Sequence, residues 1–403
     1  MEQELTSISN KTVAVIGGGP SGCICAKFLS DAGINVTVFN KGKFLYTLLP
    51  TGGGRCNLAY ADYDFKTLAG NYPRGEKFLY SVFSKFGTND TLKFFKSIGV
   101  ETYIQDDNRI FPKSNSSAEV REKFLKSLKC KLVKENVLSV CQLSEGFEVE
   151  AEKKRYYFDL VVVAVGGHNG YDILKKFDII VKEPVPSLVG LITKEDFSSV
   201  TGVSIKNVEA RVFKNTYKGD ILFTHKGVSG PLIYKISSVF AREKLPYKIN
   251  LGFIDDFDFQ KLLNEFSHKE IKNLLSQFVP KSFAYFLLKS LDINSELPCH
   301  KINAKARDTI YKALTNFEIT IKDKVSDGEV VTCGGVDLKE INPKTMEAKK
   351  YNGLYFCGEV LDIDGFCGGF NLQNCWSTGF VCADSIITII SNVKNQVAQN
   401  NLC

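Results

Sequence analysis

The chain has 403 residues, of which 44% are hydrophobic, 24% charged and 12% aromatic; this excludes a mostly disordered, collagenous or coiled-coil protein and predicts two to three domains of roughly 150 residues. The formal net charge is +6, and it is local: residues 65–135 carry 14 Lys/Arg against 8 Asp/Glu, a surplus equal to that of the whole chain. That excess reads first as solvated helical faces and second as a surface for an anionic partner such as nucleic acid. The opening MEQELTSISN lacks the basic start and apolar stretch of a signal peptide, and no apolar run approaches the roughly 18 residues a membrane span needs, so the expected home is the cytoplasm. Twelve cysteines show no CxxC pair or zinc-type repeat and are expected to be reduced packing residues; histidines at 168, 225, 268 and 300 form no HExxH or close pair, so no metal is expected.

In chain order, Thr12–Ile16 is a short β-branched apolar run, followed by GGGPSG, by CICAKFLSDAG with helical apolar spacing ending on Gly33, and by Asn35–Phe39. Strand, glycine turn, helix and strand within about 30 residues is a βαβ unit and requires a parallel sheet. Leu160–Val165, capped by Gly166 and Gly167, and Gly353–Gly358 are apolar on both faces, as central strands of such a sheet should be. Between about Pro186 and Ser326 the character changes. Alternating segments at Ala210–Phe213 and Tyr247–Gly252 precede helical spacing over Gln260–Ser276, which predicts an inserted β-rich domain with a small helical part. Cys375–Ile390 reads as a closing helix, with KNQVAQNNLC fraying after it.

Gly17, Gly19 and Gly22 fit GxGxxG in the context that gives the motif meaning, after a strand and opening a helix. Gly17 permits the tight turn, Gly19 lets a pyrophosphate approach the backbone, and Gly22 allows close helix–strand packing, while the helix N-terminus offers N–H groups and a positive dipole end. At the end of the second strand, where a carboxylate normally accepts adenosine ribose hydroxyls, stand Asn40, Lys41 and Lys43. An amide accepts one hydroxyl at a loss of about 1 kcal/mol, and it also lowers repulsion against a 2′-phosphate, so an NADP-binding domain stays open on this residue alone. Gly358-Glu359 favours a flavin, whose ribityl hydroxyls a Glu can accept and which nicotinamide dinucleotides lack. Gly365–Phe370 then leads into Asn371-Leu-Gln-Asn-Cys-Trp, a second glycine-preceded helix start suited to negative charge on a reduced flavin ring. In Thr51–Asn57, TGGGRCN, three glycines allow a nest of N–H donors with Arg55 adding charge, and Cys56 is a candidate redox or acid group beside a flavin.

These segments resemble the YhiN-like, aminoacetone-oxidase-like or BaiN/RdsA-type NAD(P)/FAD-dependent oxidoreductases. The likeness runs through GGGPSG, TGGGRCN, NRIFPKS at 108–114, PSLVGL at 186–191, GDILFTHKGVSGP at 219–231, VTCGGV at 331–336 and GLYFCGEVLDIDGFCGGFNLQ at 353–373. The resemblance implies an α/β fold in which a discontinuous Rossmann-like FAD-binding domain, residues 1–186 and 327–403, is split by an inserted β-barrel domain with a small helical subdomain, residues 187–326. It implies that Gly17, Gly19, Pro20, Ser21 and Gly22 bind pyrophosphate, with Asn40 and Lys41 beside the adenosine, and that Val137 meets adenine through its backbone. It further implies that Gly358 and Glu359 hold the ribityl region and that Gly369, Phe370, Asn371, Leu372 and Gln373 approach the ring. Gly53, Gly54, Arg55, Cys56, Asn57, Ala164, Val165, Gly166 and Asp362 complete the candidate set. The chain departs from the family where Asn40 replaces an acid, where Thr47 replaces a Lys, and where the glycine-rich segment shortens to VGGHNGYD at 165–172.

Activities of the resembled family include reduction of carbon–carbon double bonds in bile-acid intermediates and of uridine in ribosomal RNA to dihydrouridine. The expectation is therefore an FAD enzyme in which NAD(P)H, a transient visitor without its own GxGxxG domain, drives hydride transfer to an activated double bond of a small molecule or nucleobase, with ribosomal RNA as a candidate partner. His225, in THKGVSGP at 224–231, is the candidate proton donor. An NADP-dependent dehydrogenase and a flavin-bearing RNA-binding factor without turnover are the alternatives.

Overall fold

The computed structural model describes residues 11–168, 170–255, 257–325 and 331–400, the last eight of these by backbone alone. Two compact units emerge, Met1–Val185 with Val331–Cys403, and Pro186–Val330. The domain boundary expected at 326/327 lies outside the described residues.

The first unit is built on a five-stranded parallel sheet. β1 (Thr12–Ile16), helix α1 (Pro20–Asp31) and β2 (Asn35–Phe39) form the βαβ unit at the expected positions. β3 (Lys131–Val133), β4 (Leu160–Val163) and β5 (Leu354–Phe356) complete an order β5-β4-β1-β2-β3. β1 is central because both its faces are apolar: Val13, Ala14 and Val15 are fully buried, as are Val161, Val162 and Val163 beside them. Register aligns the carboxyl ends, with Ile16 opposite Val163 and Phe39, and Val163 opposite Phe356, so the loops after all these strands leave from one edge.

The closing helix, α2 (Phe370–Asn400), starts five residues before the expected Cys375 and its backbone stays helical to Asn400, where fraying was expected. It packs on α1, and Gly379 makes that approach: a Cβ there would lie 2.5 Å from the Ser21 carbonyl oxygen. The single tryptophan, Trp376, is fully buried; its indole N–H donates to the Leu58 carbonyl at 2.9 Å and its ring meets Phe95 edge-on at 5.2 Å. Helices Phe65–Ala69, Glu76–Phe83, Thr88–Ser97 and Ser117–Ser127 belong to this unit, as do two small antiparallel sheets.

The second unit holds a closed six-stranded barrel of Leu191–Thr193, Gly227–Ser229, Asn215–Thr224, Ser204–Val212, Tyr247–Gly252 and Phe317–Lys324. Its interior is filled by alternating residues, among them Val208, Ala210, Ile221, Phe223, Ile249, Leu251, Ile319 and Ile321. The helical stretch expected over Gln260–Ser276 is two short helices, Phe259–Glu265 and Ile271–Leu275. The break has a cause: Glu270 is extended and bridges Pro298, and the Ile271 N–H donates to the Leu297 carbonyl. The fold class is thus α/β with a Rossmann-type domain and a barrel. Among the described residues no helix is long and apolar enough to cross a membrane, and every cysteine is a free thiol.

Candidate dinucleotide site

The phosphate loop assigns each glycine a different task. Gly17 turns with φ +115°, and a Cβ on it would lie 2.1 Å from the Ala164 carbonyl oxygen at the end of β4. A Cβ on Gly22 would lie 2.0 Å from the Gly17 carbonyl oxygen, so turn and helix meet backbone to backbone. At Gly19, by contrast, nothing comes nearer than the Thr47 hydroxyl at 4.0 Å. Gly19 is the N-cap of α1, carries no capping side chain, and is followed by Pro20 with no acid in the first turn. The positive end of the helix is left for an anion.

The segment after β2 grips this loop. Asn40 accepts from the Gly18 N–H at 3.1 Å and donates to the Lys43 carbonyl at 3.3 Å, while the Leu45 N–H donates to the Gly18 carbonyl at 2.7 Å. Asn40 was expected to offer its amide to a ribose hydroxyl; one lone pair of its oxygen also holds the loop. Lys41 is exposed.

The far end of the chain arrives at the same place. Gly358 follows β5 with φ +82°, and a Cβ there would lie 2.2 Å from the Ser21 hydroxyl. Its N–H donates to Thr378 Oγ1 of α2 at 2.9 Å. Burial, then the Glu359 carboxylate, push the Cys375 thiol far above its ordinary range, and a Cβ on Gly358 would lie 3.7 Å from its sulfur. Gly358 therefore abuts both Ser21 of the phosphate loop and Cys375 of α2. The Glu359 carboxylate accepts from the Thr332 N–H at 3.1 Å, and a Cβ on Gly167 would strike its Cγ at 2.8 Å. Asp362, also expected here, is buried and accepts from Lys182 Nζ at 2.8 Å.

The two remaining glycine segments are stitched together. In TGGGRCN, Gly52, Gly53, Gly54 and Cys56 all have positive φ. Gly53 and Gly54 are exposed, and nothing lies within 4 Å of a Cβ on either. Arg55 stacks its guanidinium 4.1 Å above the Phe111 ring. Asn57, with its amide oriented to satisfy both ends, accepts from the Gly369 N–H at 3.0 Å and donates to the Ala59 carbonyl at 3.1 Å. Cys56 is fully buried, and burial pushes its thiol up to about 12 while a hydrogen bond with Thr51 acts the other way, so it stays protonated at neutral pH. In the segment opening α2 the side chains are committed elsewhere. Phe370 is buried against Tyr60 and Tyr72, Asn371 bonds both the N–H and the carbonyl of Gly365, Leu372 packs on the aromatic core, and Gln373 donates to Thr91 and Ser377.

Val137 is buried at the start of the strand Val137–Gln142, and Ala164 donates its N–H to Ile16 at the sheet edge, with Val165 and Gly166 (φ +85°) following. His225 is exposed, with Lys226, in the turn between two barrel strands of the second unit. Sequence reasoning did not single out Cys375, Thr378, Thr332 or Leu45, whose contacts here follow from their position in the fold.

An open Gly19, an uncapped helix start and a Gly-Glu turn packed onto Ser21 fit the pyrophosphate and ribityl chain of a flavin dinucleotide. Fold and site together define a Rossmann-type flavoprotein oxidoreductase. The chain belongs to the family described as HI0933-like protein Rossmann domain, which matches residues 11–385. It is 29% identical to the 3-dehydro-bile acid delta(4,6)-reductase of Clostridium scindens, over 92% of this chain and 97% of that protein. It is 26% identical to the ribosomal RNA dihydrouridine synthase of Escherichia coli K12, over 94% of this chain and 98% of that protein. In fold it is similar to the 3-ketosteroid delta1-dehydrogenase of Sterolibacterium denitrificans, with 12% identity, TM-score 0.50, and coverage of 94% of this chain and 100% of that one.

Proposed function

We propose that this protein is a cytoplasmic, NAD(P)H-driven, FAD-dependent reductase of a carbon–carbon double bond conjugated to a carbonyl, in a small molecule or a nucleobase. The observation that carries the reading is the packing of Gly358 on Ser21, where a Cβ would lie 2.2 Å from the hydroxyl, which brings a phosphate loop beside the Gly358-Glu359 turn. Bound FAD would supply two-electron hydride chemistry between a nicotinamide donor and a polarised double bond. Gly19 and the N-terminus of α1 would hold its pyrophosphate, the Val137 backbone its adenine, Gly358 and Glu359 its ribityl chain, and the backbone opening α2 negative charge at its ring. On this reading residues 1–186 and 327–403 are the FAD-binding domain and 187–326 the insert. The names of the two relatives share one bond type: a delta(4,6) unsaturation in a 3-dehydro bile acid and the uracil ring each place C=C beside C=O.

The exposed His225 imidazole is the proton donor of the proposal; Cys56, protonated and buried, is not. The basic surplus of residues 65–135 lends an RNA substrate little support. Lys93 pairs with Asp90, Lys123 with Glu119 and Lys126 with Glu122, while Arg121 donates to the Phe44 carbonyl at 2.8 Å. Pairs of this kind weaken the individual phosphate contacts these side chains could make, while the local surplus of basic residues remains.

The test begins with colour: purified protein should release FAD on denaturation, and its absorbance at about 450 nm should bleach anaerobically with NADH or NADPH. Mass spectrometry of metabolites and RNA from cells with and without the protein should then show one unsaturated compound accumulating or one dihydrouridine lost. Colourless protein that binds NADP would replace the proposal with a dehydrogenase; flavin and RNA binding without any reduced product would remove turnover.

A further inference from the structure

We propose that Glu135 supplies the acid of the adenosine half, where Asn40 brings no charge. The inference rests on the flavin reading above and adds to it a residue that no motif marks. Asn40 stands where a Rossmann fold normally carries a ribose-binding carboxylate, yet its amide oxygen accepts from Gly18 and its amino group donates to Lys43. β3 runs beside β2 in parallel register, Phe39 opposite Val133, and the Asn40 N–H donates to the Val133 carbonyl at 3.0 Å. Glu135 follows two residues later, past the same carboxyl edge and one strand over, and two residues before Val137.

Its side chain is held in place but not satisfied. Glu135 is 8% exposed. One carboxylate oxygen accepts from the Tyr156 hydroxyl at 3.1 Å, and the Tyr156 ring packs edge-on against Phe39 at 4.9 Å, which ties the carboxylate to the residue preceding Asn40. The other oxygen, Oε2, is buried with no partner. A buried carboxylate oxygen without a donor is costly, and such groups in a folded protein point to a partner that completes them. At this edge the donors a dinucleotide brings are the ribose hydroxyls and the exocyclic amine of adenine. A phosphate could not serve, since it brings further negative charge; the same carboxylate therefore selects a plain adenosine, as in FAD, against a 2′-phosphate.

The experiment titrates full-length protein, freed of flavin, with FAD and with FMN, which lacks the adenosine, following flavin fluorescence. Glu135→Ala should weaken FAD by about 10- to 100-fold, the range of a hydrogen bond to a charged group, and leave FMN unchanged. Glu135→Gln, which keeps the shape, should fall between, and Tyr156→Phe should stay within about threefold of wild type. Competition with ADP, IDP and 2′-deoxy-ADP separates the donors: a wild-type preference for ADP over IDP assigns the amine, one over 2′-deoxy-ADP the ribose, and Glu135→Ala should erase it. Equal losses for FAD and FMN, unchanged FAD binding in both Glu135 variants, or no preference among the three nucleotides in wild type would overturn the assignment while leaving the flavin reading standing. Wild type that binds neither flavin would instead bring down the flavin reading itself.

Discussion

The two glycine-rich loops of the first unit differ in what their glycines are for. In GGGPSG, Gly17 and Gly22 are demanded by contact: any Cβ would sit about 2 Å from a backbone carbonyl. In TGGGRCN, Gly53 and Gly54 touch nothing within 4 Å and are demanded only by their positive φ. The first loop is rigid because its neighbours are sheet and helix backbone that cannot yield. The second is a surface conformation held at its ends, by the Cys56 N–H on the Thr51 carbonyl and by Asn57 on Gly369. A motif defined by packing survives as a fixed spacing; one defined by dihedral angle tolerates whatever can adopt the angle.

The sharpest way to break this contrast is substitution of the same kind in both loops. Gly22→Ala should destabilise by about 3 kcal/mol or more, since the overpacking is against main chain, and should reduce both soluble yield and the thermal midpoint measured without added FAD. Next in size is Gly358→Ala, where the obstacle is Ser21 and the φ is positive; a loss of about 2 kcal/mol is expected. The added Ser21→Gly change should return part of it, and a pair that behaves additively would deny the contact. Gly53→Ala should cost only about 1 kcal/mol, the left-handed penalty of an L residue, and Gly53→Asn less. If Gly53→Ala proved as damaging as Gly22→Ala, the second loop would be buried against something other than solvent.

How much of this could be read in advance follows the same division. β1, α1 and β2 were legible because apolar runs on both faces, a fixed glycine spacing and a turn are local signals, and they lie where the pattern put them. The meeting of Gly358 with Ser21 was legible only as chemistry, from two segments that each suit one part of a dinucleotide. The bond from the Gly18 N–H to Asn40 was not legible, because the residue type names an acceptor and not its partner. Nor were the bonds that Asn371 makes to Gly365 and Gln373 to Thr91, where the resemblance implied only an approach to the ring. Glu135 carried no signal at all, since a lone carboxylate after a short edge strand is ordinary until its burial is known.

Cys56 sharpens the comparison from the end of the second loop. Its thiol titrates near 12 in the folded chain and near 8.5 when unfolded. A raised pKa contributes stability that is whole below pH 8.5 and is lost as pH climbs toward 12, because there the unfolded chain releases a proton that the folded one keeps. Cys56→Ala should therefore flatten the fall of the unfolding free energy between pH 9 and 11 by at most about 1.4 kcal/mol per pH unit, other buried thiols supplying the remainder. Turnover between pH 6 and 8 should stay within about twofold, since a group so far from its pKa moves no proton there. A lost alkaline limb of the rate profile in this variant would return Cys56 to the chemistry.

The smallest effect concerns the open side of Gly19. Its nearest neighbour is the Thr47 hydroxyl, on an exposed residue where the resembled family carries a lysine. In the proposed arrangement the α1 terminus faces the pyrophosphate, and a helix end offers the equivalent of half a charge. Thr47→Lys would add a full charge on a long, solvated stem beside the same point, and should tighten FAD by about three- to tenfold at low salt, fading as ionic strength rises. The gain should appear for FAD and ADP alike and be absent for riboflavin, which has no phosphate. A gain that included riboflavin would place the new ammonium over the ring system and not over the pyrophosphate, and Gly19 would lose its assignment as the point of closest backbone approach.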